Sequence, residues 1–412
     1  MLEYSISRLG RITIVEAKGR IDGMTANQLL QTLTFELENR HARIILDLAG
    51  VDFMSGAGVR VLKNLSENAS DVRLARPSDR VREVLQISGM DVALQIHPTR
   101  TGAIRAISPI ANAHTHLELG WLAESCPGIP GVSFVDWMLS ILPRIAKVRL
   151  ADWETVYRKA AEAGIQKLLD SGTTVIGDVS SEGLSIAPLM ESGLSGVVYV
   201  EVLAFNHARA EEKLKWAQEI IDEWRPKERN RMHVGLALHA PYSVHRTLWD
   251  KALDYARREA VPLTIHVAES KAEHEYMTHG TGDFVTKYYP RLDLIPLPSP
   301  KMTPIRYLED LGALELRPLL AHAVHVDDED VKRIQASGAR VVHCPRSNLR
   351  LRCGRMPLEK YLEQGVPVFL GTDSLGSSPS INIFDELEVA AALHHGRVAP
   401  EKIEELVYRP SL

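Results

Sequence analysis

Two histidines one residue apart, His114 and His116, stand in the stretch NAHTHLELG, directly after the apolar run AISPIANA. Residues i and i+2 of a β-strand share a face, so both imidazoles can aim at one point beyond the strand's end. An HxH pair alone also fits two histidines that each satisfy their own hydrogen bond. The chain supplies more of the same kind. TIHVAES carries His266 and Glu269, LLAHAVHV carries His322, and VFLGTDSLGSS carries Asp373. Each is a polar side chain that follows an apolar run. Three imidazoles and a carboxylate suit a borderline divalent metal such as zinc or iron, with a coordination position left for water.

Such a site needs elements that deliver these residues to one place. From Ile107 onward, strand-like runs (IANAHTHL, TTVIGDV, GVVYVEVLAF, HVGLALHA, PLTIHVAE, LLAHAVHV, ARVVHCP and VPVFLGTD) alternate with amphipathic stretches such as WETVYRKAAEAGIQKLLDSG and HRTLWDKALDYARREA. About eight such units in one segment predict a (β/α)8 TIM-type barrel, in which the C-terminal strand ends share one mouth. An open doubly wound sheet is the alternative, but no Gly-rich dinucleotide turn follows the first strand. Two connections are long, residues 117–152 and YYPRLDLIPLPSPKMTP, and are expected to be lids or substrate-binding segments.

The first hundred residues read differently. LEYSISR, RITIVEAKG, ARIILDLAG and DVRLARP predict strands; TANQLLQTLTFELENR, SGAGVRVLKNLSEN and SDRVREVLQISGM predict helices, the last with Ser78 as N-cap. The expectation is a small mixed α/β domain over residues 1–99 and the barrel over residues 105–412.

Composition bounds the function. A net charge of −5 without a basic block excludes a nucleic-acid partner. No apolar run approaches the roughly 20 residues of a membrane helix, so no membrane insertion is expected. No signal peptide is apparent, and Cys126, Cys344 and Cys353 form no CxxC. Both features suit a cytoplasmic protein.

The combination of HxH, HVAES, LAHAVHV, HCPRSNLRL and LGTDS resembles the amidohydrolase superfamily over residues 107–387. It is most similar to the cytosine-deaminase-like branch, which includes adenosine-analogue and aminodeoxyfutalosine deaminases. TTVIGDVS, GLALHAPYS and NAHTHLELG point to the aminodeoxyfutalosine type. The resemblance implies one divalent metal, zinc first and iron or manganese as alternatives, held by His114, His116, His266 and Asp373. It further implies that Glu269 moves protons and that His322 orients or polarises at the water. The chemistry follows from the residues. Hydroxide from an acidified water attacks an amino-bearing sp² carbon, Asp373 accepts the water's proton, Glu269 donates to a ring nitrogen, and ammonia leaves. The expected substrate is a small molecule, an aminopurine nucleoside or related amine such as 6-amino-6-deoxyfutalosine. Hydrolysis of another C–N or a C–halide bond is an alternative, and so is a regulatory or scaffold protein with a ligand-binding barrel.

Weaker candidates for substrate contact are His239 in ALHAPYS, Trp137 in the first long connection, Arg346 in CPRSN and Ser377 after Asp373. Relatives acting on adenosylhomocysteine-like substrates follow W…LP with a ribose-gripping glutamate; here Arg144 and Ile145 follow Pro143. The small β-sandwich that flanks this branch's barrels is expected to be absent. IILDLAGVDFMSGAGVRVL resembles the STAS domain of anti-sigma-factor antagonists. Its phospho-acceptor position falls on Gly56, with Ser55 one place earlier, so a docking or structural module is expected, able to bind a protein partner or self-associate.

Overall fold

The computed structural model describes residues 2–9, 12–40, 43–68, 72–128, 131–205 and 207–408. The chain forms two compact units, Met1–Ile110 and Ala111–Leu412.

In the first unit, β1 (Leu2–Leu9), β2 (Ile12–Ile21), β3 (Arg43–Met54), β4 (Val72–Ala75) and β5 (Ile96–His97) lie side by side in that order. β1 runs antiparallel to β2 and the other pairs are parallel. The two-residue β5 escaped the sequence reading because it is too short to show a period. Helices Ala26–Arg40, Gly56–Asn68 and Asp79–Ile87 bury Leu29, Leu33, Leu62, Leu65, Val81 and Leu85 with Ile44, Leu46 and Leu74 of the sheet. Spacings of three and four residues put each helix's apolar side chains on one face. Ser78 sits at the N-cap position but makes no cap bond; its hydroxyl donates to Val51 O at 2.9 Å. Asp47 on β3 is buried and accepts from Arg76 Nη2 at 2.6 Å and Arg100 Nε at 2.8 Å. Burial alone would raise the Asp47 pKa, but the bonds from Arg76, the Ala49 N–H and Arg100 hold it below 3.8.

The second unit is a nearly closed parallel barrel. Its strands are β6 (Ala111–Thr115), β7 (Val175–Ser180), β8 (Ser195–Val202), β9 (Met232–Leu238), β10 (Leu263–Val267), β11 (Leu319–His322), β12 (Arg340–His343) and β13 (Val368–Leu370). They pair in sequence order. The ring joins where Thr115 bridges Asp373 and the Asp373 N–H donates to His114 O at 2.9 Å. Asn112 reinforces that seam: its Nδ2 donates to Thr372 Oγ1 at 2.9 Å, and its Oδ1 accepts from Thr372 N at 3.1 Å. Ala113, Val179, Tyr199, Ala237, Leu319 and Phe369 belong to one buried apolar cluster of strand residues, so the barrel is a packed core whose polar groups gather at the strand ends. Among the described residues this unit has no second sheet.

The connection at residues 117–152 carries regular structure. It holds a 3₁₀ segment, Leu117–Ser125, and a 16-residue helix, Phe134–Arg149. Pro143 inside that helix disguised it, because proline removes an internal hydrogen bond and usually ends a helix. Among the described residues no helix is long and apolar enough to cross a membrane.

Candidate metal centre

His114 lies on β6 and His116 just beyond it, a slight departure from the expected i, i+2 pair within one strand. The two still converge. His116 Nε2 is 3.2 Å from His114 Nε2 and 3.2 Å from His266 Nε2 of β10. Asp373 Oδ1, past the end of β13, is 3.5 Å from His116 Nε2 and 3.7 Å from His114 Nε2. All four side chains are buried.

These separations suit a shared cation. Two nitrogen ligands of a tetrahedral zinc, each about 2.0–2.1 Å from it, stand about 3.3 Å apart. His266 Nδ1 lies 2.9 Å from the carbonyl of His239, which can only accept. The proton is therefore on Nδ1, and Nε2 presents its lone pair to the centre. Burial lowers the pKa of His114, His116 and His266 and keeps the imidazoles neutral, the form that binds metal. Burial opposes ionisation of Asp373, but the polar groups around it, including the Ser347 hydroxyl that donates to it, outweigh burial and hold its pKa below the ordinary 3.8. Ser347 Oγ donates to Asp373 Oδ2 at 2.6 Å and Ser377 Oγ at 2.8 Å, leaving Oδ1 toward the imidazoles. The buried His/Asp cluster has the character of a divalent-metal site.

Glu269 and His322 flank it. His322 Nδ1 donates to Asn348 Oδ1 at 3.0 Å, which turns Nε2 toward Glu269 Oε1, 3.6 Å away. Burial, with the nearby charges of Asp373 and Glu273, pushes the Glu269 pKa well above the usual carboxylate value, so it can hold a proton. Glu273 fixes the backbone there, accepting from Ala268 N at 2.9 Å and Glu269 N at 2.8 Å. His322 and Asp373 have φ of 71° and 60°, in the left-handed region where non-glycine residues are uncommon and which recurs at functional sites. Gly371 is required beside them. A Cβ there would lie 2.7 Å from His114 Cβ and 2.7 Å from Val342 Cγ1.

The cluster opens into a cavity of about 440 Å³ with both apolar and charged walls, within the usual range for small-molecule sites. Helix Phe134–Arg149 supplies Phe134, Trp137, Met138 and Ile141 to it. Trp137 lines the cavity, and its Nε1 donates to Gly376 O at 3.0 Å, tying the helix to the loop after Asp373. His239 also lines it; burial lowers its pKa to about 3, and Nδ1 is 2.5 Å from Ser243 Oγ.

Two expected substrate contacts lie elsewhere. Arg346 does not line the cavity, and its guanidinium is consumed internally, by Glu386 Oε1 at 2.7 Å, Asp385 Oδ2 at 3.0 Å and Ser380. Ser377 is also outside the lining and acts on Asp373 instead. Sequence reasoning passed over Ser347 and Asn348, although both sit in the HCPRSNLRL run it singled out. It also passed over Glu201 on β8, which the strand alternation could have flagged as a charged residue in a buried run. Burial raises the Glu201 pKa to about 7. Glu118 holds the loop after β7, accepting from Ser180 Oγ and from the backbone N–H of Glu182, Leu184 and Ser185.

Comparison with known proteins agrees with this geometry. Residues 107–406 match the profile described as the amidohydrolase family, and residues 4–103 match the STAS domain. An aminodeoxyfutalosine deaminase of Deinococcus radiodurans is 35% identical over 305 residues, 72% of this chain and 70% of that protein. A 5-methylthioadenosine/S-adenosylhomocysteine deaminase of Caldanaerobacter subterraneus is 32% identical, covering 70% of this chain and 61% of the other. The crystal structure of Helicobacter pylori aminofutalosine deaminase with methylthio-coformycin superposes with a TM-score of 0.61 at 26% identity, covering 73% of this chain and 71% of that one.

Proposed function

Since the chain belongs to the amidohydrolase family, in its branch of metal-dependent deaminases of small molecules, we propose that it hydrolytically deaminates an aminopurine nucleoside, with 6-amino-6-deoxyfutalosine the first substrate to test. The observation that carries this reading is the placement of a protonatable carboxyl, Glu269, beside the cluster of His114, His116, His266 and Asp373, where the cluster opens into one cavity.

In this reading the four side chains hold one divalent ion, zinc first. When bound, the ion supplies Lewis acidity that lowers the pKa of a water from 15.7 to about 7. The protein's own groups do the rest. Asp373, kept ionised and anchored by Ser347 and Ser377, takes the proton of the attacking water through Oδ1. His322 Nε2, oriented by Asn348, steadies the attacking oxygen. Glu269 gives its proton to the ring nitrogen next to the amino-bearing carbon, so the ring carries no uncompensated negative charge. A C–O bond forms; the C–N bond breaks as Asp373 hands the water's first proton to the departing amine, which leaves as ammonia; and the remaining O–H proton returns to Glu269, so the oxo-purine leaves with Glu269's original proton on its ring nitrogen. Trp137 and Phe134 offer aromatic faces for the base.

The test is ammonia release from 6-amino-6-deoxyfutalosine, 5′-methylthioadenosine and adenosine by the metal-loaded protein. Turnover of the first in preference to the others is expected. No ammonia from any aminopurine nucleoside would overturn the reading.

A further inference from the structure

The carboxylates lining the cavity are not equally engaged. Asp373 is bonded to Ser347 and Ser377, Glu182 is paired with Arg149, and Glu269 faces His322. Glu201 differs. It stands near the end of β8, opposite Ala237 of β9, is 9% exposed, and its Oε1 is buried without a hydrogen-bond partner. Arg144 and Ile145, which follow Pro143, bring no carboxylate to this cavity, although Ile145 lines it. Ser181, also in the lining, has a buried Oγ without a partner. Lys213 lines the same wall, with Nζ 3.4 Å from Ser181 O and 3.5 Å from the centre of the Trp216 ring.

A buried acceptor without a donor calls for a partner, either an ordered water or a ligand group that takes its place. Three occupants compete for Glu201. A second cation held by Glu201, His239 and His266, whose ligand atoms lie within 4.8 Å of one another, would have to share His266. That ring has one lone pair, on Nε2, because its Nδ1 donates to His239 O, and Nε2 already faces His116. An ammonium group on the substrate would be repelled by Lys213, and a carboxylate by Glu201. A pair of neutral hydroxyls fits. Each hydroxyl both donates and accepts, so one can give its proton to Glu201 while its neighbour accepts from Lys213 or exchanges with Ser181.

We infer that Glu201, with Lys213 and Ser181, forms the subsite for the vicinal hydroxyls of the substrate's ribosyl group, and that Glu201 sets selectivity for ribosides over deoxyribosides. The inference rests on the aminopurine nucleoside reading above. In this subsite the sugar is held from β8 and its neighbours, close to His239, and not from helix Phe134–Arg149.

Binding separates the two claims. The affinities of inosine, 2′-deoxyinosine and 3′-deoxyinosine, which need no turnover, are measured by calorimetry for wild type, Glu201→Gln and Glu201→Ala, each checked for metal content. Loss of a hydroxyl is expected to weaken binding to wild type about tenfold or more. In Glu201→Ala the riboside and at least one deoxyriboside should bind within about twofold of each other, with Glu201→Gln between. Equal affinities in wild type, no binding of any of the three, or unchanged discrimination in Glu201→Ala at full metal content would overturn the inference. Failure of the deaminase reading would appear separately, as absence of ammonia release while these affinities still differ.

Discussion

At the scale of the residue, the proposed mechanism divides two carboxyl groups into opposite roles. Asp373 is held ionised by the Ser347 and Ser377 hydroxyls that donate to it, while Glu269 is pushed toward its neutral form by burial. Environments that drive carboxyl pKa values apart assign base and acid. Glu269→Gln is therefore expected to keep its metal and to lose about 10²–10⁴-fold in kcat; wild-type turnover in that variant would remove Glu269 from the proton transfers. Ser347→Ala removes a 2.6 Å bond to Asp373. It should weaken metal binding by about 10–100-fold, as read by competition with a chelator. Unchanged affinity would show that Ser377 alone suffices to hold the carboxylate.

Elements matter through the polar groups that pin them. Glu118 is fully buried and gathers three backbone N–H groups of the loop after β7. Glu118→Gln should cost about 1–3 kcal/mol locally and speed amide exchange at residues 182–185 tenfold or more; unaltered exchange there would assign the loop's order to packing. In the first unit, Asp47 joins β3 to Arg76 and to helix Arg100–Ile107. Its folded pKa lies below the ordinary 3.8, so the unfolded chain binds its proton more readily. The stability it contributes is thus complete above pH 3.8 and is lost as pH falls through the folded value. Asp47→Asn should lower exchange protection of β3 amides at neutral pH and do so progressively less in acid. A deficit that grew on acidification would contradict that sign.

The same elements explain what could be read from the sequence. Barrel strands were legible because they are short apolar runs, several with a chemically distinctive residue at or just past the end, such as His266, His322 or Asp373. The members of the buried His/Asp cluster were legible because histidine and aspartate are conspicuous there. Supporting groups were not, because a serine such as Ser347 or an asparagine such as Asn112 carries no type-specific signal until the fold brings its partner close. Arg346 misled for the converse reason: a guanidinium beside a motif reads as a ligand contact, whereas Glu386 and Asp385, some forty positions later, claim it. The helix at Phe134–Arg149 was hidden by Pro143, and with it the source of one cavity wall.

At the scale of the whole molecule, one chain joins a STAS domain to a barrel of the metal-dependent deaminase branch of the amidohydrolase family. All six tryptophans belong to the barrel unit, so tryptophan fluorescence follows that unit alone. A ligand at a thousandfold excess over its Kd adds about 4 kcal/mol to the state it binds. Stripping the metal should accordingly lower the barrel's Tm by about 5 °C or more, restored by zinc. The central claim is that His114, His116, His266 and Asp373 meet on one ion, and elemental analysis of the purified protein tests it most directly. About one divalent ion per chain is predicted for wild type, with near-complete loss in His266→Ala of retained fold. A zinc-supplemented preparation that carries no ion, or a His266→Ala protein that carries as much as wild type, would contradict it.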